Sequence, residues 1–441
     1  MALDTVSPPR WVRSLGLVSG LTVVSRILGF VRDVVMAQTL GTGPVAVGFM
    51  LAFRLSNQLR AFLAEGAFTI AFQPIDAAMD DGSEKARRFR AETLGWLWLG
   101  NAVLLVAALA APGPILSVLA PGYGPQDPVH SIAQDLLRIT FPYLACLSTM
   151  AFLGARLATK GRFAAMALAP SLMNLCLIAG LLLAGGNEHA GHVAAVAVLV
   201  SGVAQVGLVW WACRRAGIAF VRPRLGASPA TRRFFAALWP AILSAGALQL
   251  AVFIDTIFAS FLPSGTLGHL YYADRLYQLP MGILSVALGT VLLPEISGRI
   301  ARGDSRGPRR ILFKSLLICA AIGLPAALAM ALLGDEAIAL LFQRGNFTAA
   351  DTEAAATILA GYAWGVVPAL LVRPLAVGFQ ARGDTATPMR LLLVSLVANL
   401  GCKAATLTTL GAFGLALGTS VGLAVYCLLL AIFAVRRGHF D

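Results

Sequence analysis

Six arginines, Arg26, Arg32, Arg54, Arg60, Arg275 and Arg373, sit in stretches that are otherwise apolar enough to cross a bilayer. A guanidinium at the bilayer centre costs about 2.5–3.5 kcal/mol on insertion scales, so each one needs a reason. What arginine offers is a planar fork of N–H donors that matches phosphate oxygens two at a time. Cations facing lipid would not be stable, so these are expected to line an aqueous cavity and to meet an anion there. Acids available in the same stretches are Asp33, Glu65, Asp255, Asp274 and Glu295, which leaves the cations in excess. The simpler reading is that each arginine pairs with a nearby carboxylate and only holds helices together. Arg32 beside Asp33 and Arg275 beside Asp274 are the first places to look for that.

The elements that must position these charges are membrane helices. The chain has 441 residues, 58% hydrophobic and 12% charged, against roughly 25% charged in a soluble domain. Apolar runs of about 20 residues recur along its whole length, each long enough for a ~30 Å hydrocarbon core as a helix. A β-barrel would show short alternating segments instead. The fold class is therefore all-α and polytopic. Spans are expected near 13–41, 44–75, 91–112, 133–158, 163–185, 192–213, 234–262, 267–297, 311–334, 354–381, 388–409 and 412–435. The N-terminal MALDTVSPPRWVR does not read as a cleavable signal.

Connections between spans alternate in character. EKARRFR, RLATKGR, CRRAGIAFVRPR, GRIARGDSRGPRR, ARGDTATPMR and the terminal RR are basic, whereas GTGP, PGYGPQDPVH, GGNEHAGH, LPSGTLGH, LFQRGNFTAAD and LGAFG are not. About 25 of the 34 Lys and Arg fall on the first side, which the positive-inside rule makes cytoplasmic, together with both termini. The net charge of +13 is thus a topology signal whose natural partner is the anionic headgroups of membrane lipids, not nucleic acid.

Taking the first two spans as a hairpin about GTGP puts Arg32 and Arg54 nine and ten residues deep, and Arg26 and Arg60 fifteen and sixteen deep. At 1.5 Å per residue these are two cationic layers roughly 9 Å apart. Arg26 and Arg32 differ by about 120° around a regular helix, so an unwinding or kink at Gly29 is the device expected to turn both inward.

The sequence also repeats itself. AFRLSNQLRAFLAEGAFTIAFQPI resembles ADRLYQLPMGILSVALGTVLLPEI, and Pro142, Gly154, Gly161 and Asn174 correspond to Pro368, Gly378, Gly383 and Asn399. Two six-helix halves, 1–225 and 226–441, are expected to share one orientation, as parallel repeats about an axis along the membrane normal. Halves of this kind usually enclose a central site and rock against each other. The six cysteines stand singly with no C-x-x-C spacing and read as packing residues. His189 and His192 are too few ligands for a metal. With no nucleophile triad, phosphate-binding loop or acidic cluster in the sequence, an enzyme is not expected, and neither is a cofactor.

The segments SRILGFVRD, LSNQLRAFLAEGAF, TIFASFLPSG, YYADRLYQLPMGILSVALGTVLLPEIS, LLFQRGNFT and GFQARGDTATP, in that order over nearly the whole chain, resemble the MurJ (MviN) family. These are lipid II flippases of the multidrug/oligosaccharidyl-lipid/polysaccharide (MOP) exporter superfamily. The resemblance implies a V-shaped pair of six-helix lobes around a cationic central cavity. Its diphosphate-binding arginines would fall on Arg26, Arg32, Arg60 and Arg275, with Asp33, Arg54, Glu65, Asp274 and Arg373 as supporting charges. It implies a bacterial inner-membrane protein of peptidoglycan synthesis. The substrate would be lipid II, the undecaprenyl-diphosphate-linked MurNAc-pentapeptide-GlcNAc, moved from the cytoplasmic to the periplasmic leaflet by alternating access. Partners in the cell-wall synthesis machinery belong to the same expectation. Coupling to the membrane potential, Na⁺ or H⁺ is left open by these residues. Relatives often carry an acid shortly after the first loop, where Val47 stands here, and they usually continue with two further helices that groove the lipid tail. Those helices are expected to be absent, or the tail to be held differently. Two alternatives use the same fold: a flippase for another polyprenyl-diphosphate oligosaccharide, and a drug–cation antiporter, which would want an acidic cavity.

Overall fold

The computed structural model describes residues 10–60, 67–304 and 306–438, with side chains except at 10–15, 59–60, 243–251, 283, 285–291 and 306. Every regular element among them is a helix. In order these are α1 Arg10–Leu40, α2 Pro44–Arg60, α3 Ala67–Ala77, α4 Glu84–Ala110, α5 Pro112–Leu119, α6 Pro128–Thr140, α7 Tyr143–Thr159, α8 Ala164–Ala184, α9 Ala190–Arg215, α10 Pro229–Ser260, α11 Thr266–Ala301, α12 Arg306–Leu332, α13 Gly334–Phe342, α14 Ala349–Gln380 and α15 Ala386–Arg436. The twelve expected spans all find helices. The sequence did not announce the short α5 and α13, which are too short to cross a bilayer.

Boundaries follow ordinary capping chemistry. Ser83 Oγ accepts the Ala86 N–H at 3.1 Å to start α4, and Asp127 accepts the Val129 N–H at 2.8 Å ahead of Pro128 at the first position of α6. Thr348 and Asp351 form a reciprocal capping box at α14, satisfying two otherwise orphaned donors. Between the last two spans α15 turns at Gly411, whose φ of 52° and ψ of −129° lie outside the helical region in backbone space that a side chain resists.

Seven helices among the described residues are long and apolar enough to cross a membrane: α4, α6–α7, α8, α9, α12, α14 and α15. The other expected spans fall on α1, α2–α3, α10 and α11. Those are the helices that carry Arg26, Arg32, Asp33, Arg54, Asp255, Asp274 and Arg275.

Contacts divide the chain inside α10 into two compact units, Met1–Ile254 and Asp255–Asp441. In the first unit, α1 packs on α8, α8 on α9, α2 on α6 and α7 on α9. Its core includes Phe68, Phe72, Phe89, Phe152 and Phe234, with neighbouring ring centroids 5.3–6.5 Å apart. Offset and edge-on pairs of this kind add about 0.5–1.5 kcal/mol each beyond burial. In the second unit, α14 packs against α11, α12, α13 and α15. Leu375, Phe379, Leu391, Tyr426 and Leu430 are buried together there, and Tyr426 donates its hydroxyl to the Pro388 carbonyl at 3.2 Å.

The basic segment before α10 is docked on α4. The Glu92 carboxylate, fully buried, accepts the Ser228 N–H at 2.8 Å and the Thr231 hydroxyl at 2.7 Å. Trp96 donates its indole N–H to the Gly226 carbonyl at 2.7 Å. Gly95 allows this approach: a methyl there would meet the Arg224 carbonyl oxygen at 2.3 Å.

Candidate functional site

α1 is helical without interruption through Gly29, so the expected unwinding there is corrected. Gly29 has a different use. Its bare face lies against the Asn174 side chain of α8, 3.5 Å from where a methyl would stand. Regular helix geometry then separates the two arginines, as six steps of 100° require. Arg32 turns inward and is 7% exposed, whereas Arg26 is exposed.

Arg32 is held on several sides. Its Nε and Nη2 reach Asp33 Oδ1 at 3.0 and 2.6 Å, and its Nη1 donates to Asn174 Oδ1 at 3.0 Å. Asn174 in turn donates to the Ser25 carbonyl at 3.0 Å. Asp33 is 2% exposed. The arrangement neutralises a buried guanidinium and holds its direction. On α2, Arg54 is half-buried and directly follows Phe53, which stacks on Phe49 one turn earlier at 5.7 Å. Val47 is wholly buried in the first turns of the same helix. The Arg60 side chain and Glu65 lie outside the described residues.

In the second unit, Arg275 lies on α11 with its guanidinium carbon 4.5 Å from the Tyr271 ring centre, a cation–π contact. Asp274 accepts from Gln278 one turn on. The start of α11 is pinned twice. His269 Nε2 is 2.8 Å from Asp351 Oδ1 of α14, and Tyr272 packs on Phe342 and Phe347 with centroids 5.1 Å away. Tyr277 stacks on Tyr362 at 4.9 Å, so the Arg275 turn is braced by aromatics on both sides. Arg373 is exposed and lines a cavity of about 500 Å³ with Met281 and Leu284 of α11 and Gln380 of α14. That cavity has room and charge for a polar group beside an aliphatic wall.

Two of the acids have partners that the sequence did not single out. Asp255 accepts from Lys403 of α15, whose side chain is 2% exposed. Glu295 pairs with Arg299 one turn on, at 2.9 Å. Lys403 is therefore a missed residue. Its signal was a lone lysine one turn after Asn399, in an otherwise apolar run. Asn174 was noticed only as a repeat position, and its place on Arg32 was not.

Comparison with known proteins gives one consistent answer. The family model described as lipid II flippase MurJ matches residues 36–441. A "probable lipid II flippase MurJ" of Rhizobium meliloti (strain 1021) is 36% identical over 438 residues, covering 97% of this chain and 81% of that one. The lipid II flippase MurJ of Burkholderia cenocepacia is 31% identical, covering 97% and 84%. Among solved structures, a lipid II flippase MurJ in an inward closed conformation superposes with a TM-score of 0.84 at 24% identity, over 95% of this chain and 87% of that one. An inward-facing MATE multidrug transporter of the MOP superfamily gives 0.74 at 15% identity, over 94% of each.

Proposed function

The chain belongs to the lipid II flippase MurJ family, a multi-pass bacterial membrane protein, and from that premise we propose what it carries and how. It moves the undecaprenyl-diphosphate-linked peptidoglycan precursor from the cytoplasmic to the periplasmic leaflet of the inner membrane, with both termini cytoplasmic. No bond is made or broken, so the work is binding, shielding and release. Arg26, Arg60 and Arg275 take the diphosphate, because guanidinium forks match its oxygens and a dianion offsets cations placed in a low-dielectric interior. Arg54, Asp274 and Arg373 tune that field, with Glu65 as an acid of the same span. Arg32 is a positioning residue. Support for this comes from its bonds to Asp33 and Asn174.

The observation that carries the reading is the contrast on α1, where Arg26 is exposed in an apolar span while Arg32 is buried against Asp33 and Asn174. The driving force is the membrane potential, which favours outward movement of negative charge by about 2.3 kcal/mol per charge per 100 mV. Two features agree with a minor role for Na⁺ or H⁺. Val47 provides no acid near the first loop, and Asp255 already holds a lysine ammonium.

Complementation of cells depleted of their own lipid II flippase tests this, with membrane abundance measured for each variant. Arg26→Ala, Arg60→Ala and Arg275→Ala are expected to reach wild-type abundance and fail to rescue. Arg32→Ala is expected to fail with reduced abundance. Rescue by all three of the first set would remove the diphosphate assignment.

A further inference from the structure

A groove of about 420 Å³ lies in the first unit between Leu17 and Leu21 of α1, Leu168 of α8 and Leu208 of α9. Its walls are aliphatic, but one end is not. Arg162, Trp211 and Arg215 close it there. The Arg215 guanidinium carbon stands 4.2 Å from the centre of the Trp211 ring, and Arg162 Nη1 is 3.5 Å from the Arg215 carbonyl oxygen. No carboxylate lines the groove among the described residues. Arg162 and Arg215 are exposed and have no carboxylate within ion-pair distance among the described residues. Ala164 and Ala165, in the first turn of α8, line the same end, and their N-cap Phe163 supplies no side-chain acceptor.

An aliphatic slot ending in two guanidiniums and an indole has the chemistry of a lipid seated at headgroup depth. Tryptophan favours that level, and arginine stems cover apolar surface while the charged heads stay at the interface. The basic connections put this end in the leaflet that is rich in anionic headgroups. We propose that the groove is a binding site for an anionic glycerophospholipid of the cytoplasmic leaflet. One acyl chain lies along Leu17, Leu21 and Leu208, and the phosphate rests between Arg162 and Arg215. The site is separate from the diphosphate charges, since Arg26 lies five residues, about 7.5 Å, beyond Leu21 along α1. It does not depend on what the protein transports.

The test uses the full purified chain, stripped of lipid in detergent and titrated with phosphatidylglycerol or phosphatidylcholine of the same chains. Bound lipid is read by native mass spectrometry and thermal unfolding. Phosphatidylglycerol is expected to bind at least tenfold more tightly. The double substitution R162Q/R215Q should weaken it about thirtyfold, at about 1 kcal/mol per basic residue, without moving the lipid-free melting temperature. Ala165→Phe, which fills the slot and leaves the charge alone, should weaken it as well. Equal binding of the two lipids, or no loss in either variant, would overturn the site. Inorganic phosphate protecting as well as phosphatidylglycerol would show that no lipid chain is recognised. Displacement by undecaprenyl diphosphate, with the same loss in R162Q/R215Q, would give the groove to the transported class instead.

Discussion

Asp33 and Asp255 stand 222 positions apart, and Asn174 and Asn399 stand 225 apart, within the spacing of the internal repeat. The two units thus place an acid and an amide at equivalent points, and they solve its charge differently. In the first unit the cation is the next residue, Arg32, and Asn174 of α8 steadies it. In the second repeat the Arg32 counterpart is Ile254, and the cation comes from another helix as Lys403, one turn after Asn399. The acids differ in exposure too. The Asp33 side chain is 3% exposed, whereas that of Asp255 is 35% exposed. A local pair makes α1 self-sufficient and uses α8 only as a brace. A long-range pair ties α10 to α15, so that neither helix can move without separating charges in a low-dielectric interior. The lesson is that a repeat conserves a place for charge more strictly than it conserves its source.

The largest expected effect comes from breaking the buried local pair. Asp33→Ala leaves the Arg32 guanidinium buried and bonded to the neutral Asn174 amide, and removing one member of such a pair costs about 3–5 kcal/mol. Thermal unfolding in detergent should show this protein to be far less stable than Arg32→Met/Asp33→Ala, which removes both charges. Equal melting temperatures for the single and double variants would mean that the pair is hydrated and structurally idle.

The second unit should respond asymmetrically. Asp255→Leu strands Lys403, which is 1% exposed as a residue, and is expected to cost about 3 kcal/mol. Lys403→Met strands Asp255, which is a third exposed and can take up water, so about 1–2 kcal/mol is expected. Exchange of the two, Asp255→Lys with Lys403→Asp, should recover part of either loss. Similar losses in both single variants, with no recovery on exchange, would dismiss the long-range pair as the link between α10 and α15.

A smaller effect probes what lets Lys403 fit. Gly418 lies where a methyl would come within 2.5 Å of Lys403 Cγ and 3.2 Å of the Asn399 carbonyl oxygen. Gly418→Ala should displace the lysine stem and cost about 1–3 kcal/mol through crowding. That cost should largely vanish in a Lys403→Ala background, because the clash is with a side chain. A cost that is unchanged in that background would move the crowding to the Asn399 backbone.

How much of this could be read beforehand depended on range. Helix identity and number follow from long apolar runs, because a bilayer forces backbone hydrogen bonds inside each span. The charges themselves stand out against 58% hydrophobic residues. Pairing with a chain neighbour was legible in Arg32-Asp33. Pairing across 148 residues, as in Asp255 and Lys403, was not, because nothing in either sequence stretch fixes which face of α15 meets α10. The Gly29 kink was expected in order to bring two arginines together. The structure instead uses their 120° separation, burying one and leaving the other exposed. The short α5 and α13 were missed because each follows a span directly and shares its apolar composition.

The two units also differ at their basic corners, and acid pH resolves the difference. In the first, Lys160 donates to Asp81 and, with Arg90 at 2.7 Å, holds its carboxyl below the ordinary range against the opposing effect of burial. In the second, the Thr387 N–H at 3.0 Å and the Arg437 guanidinium do the same for Asp384. A folded-state pKa below the unfolded value means a contribution that is complete above the unfolded pKa of about 3.9 and is lost as pH falls through the folded value. Melting temperature should therefore be flat from pH 7 to about 5 with respect to both groups and decline below about 4. Asp81→Asn and Asp384→Asn should each lower the plateau slightly and flatten the decline. Asp81 is half exposed, so screening keeps its contribution within about 1 kcal/mol. Its slope should also weaken with added salt, whereas that of Asp384, whose first support is a backbone N–H, should persist. If both acid limbs collapse equally in high salt, the two corners are held by the same surface attraction and the distinction between them disappears.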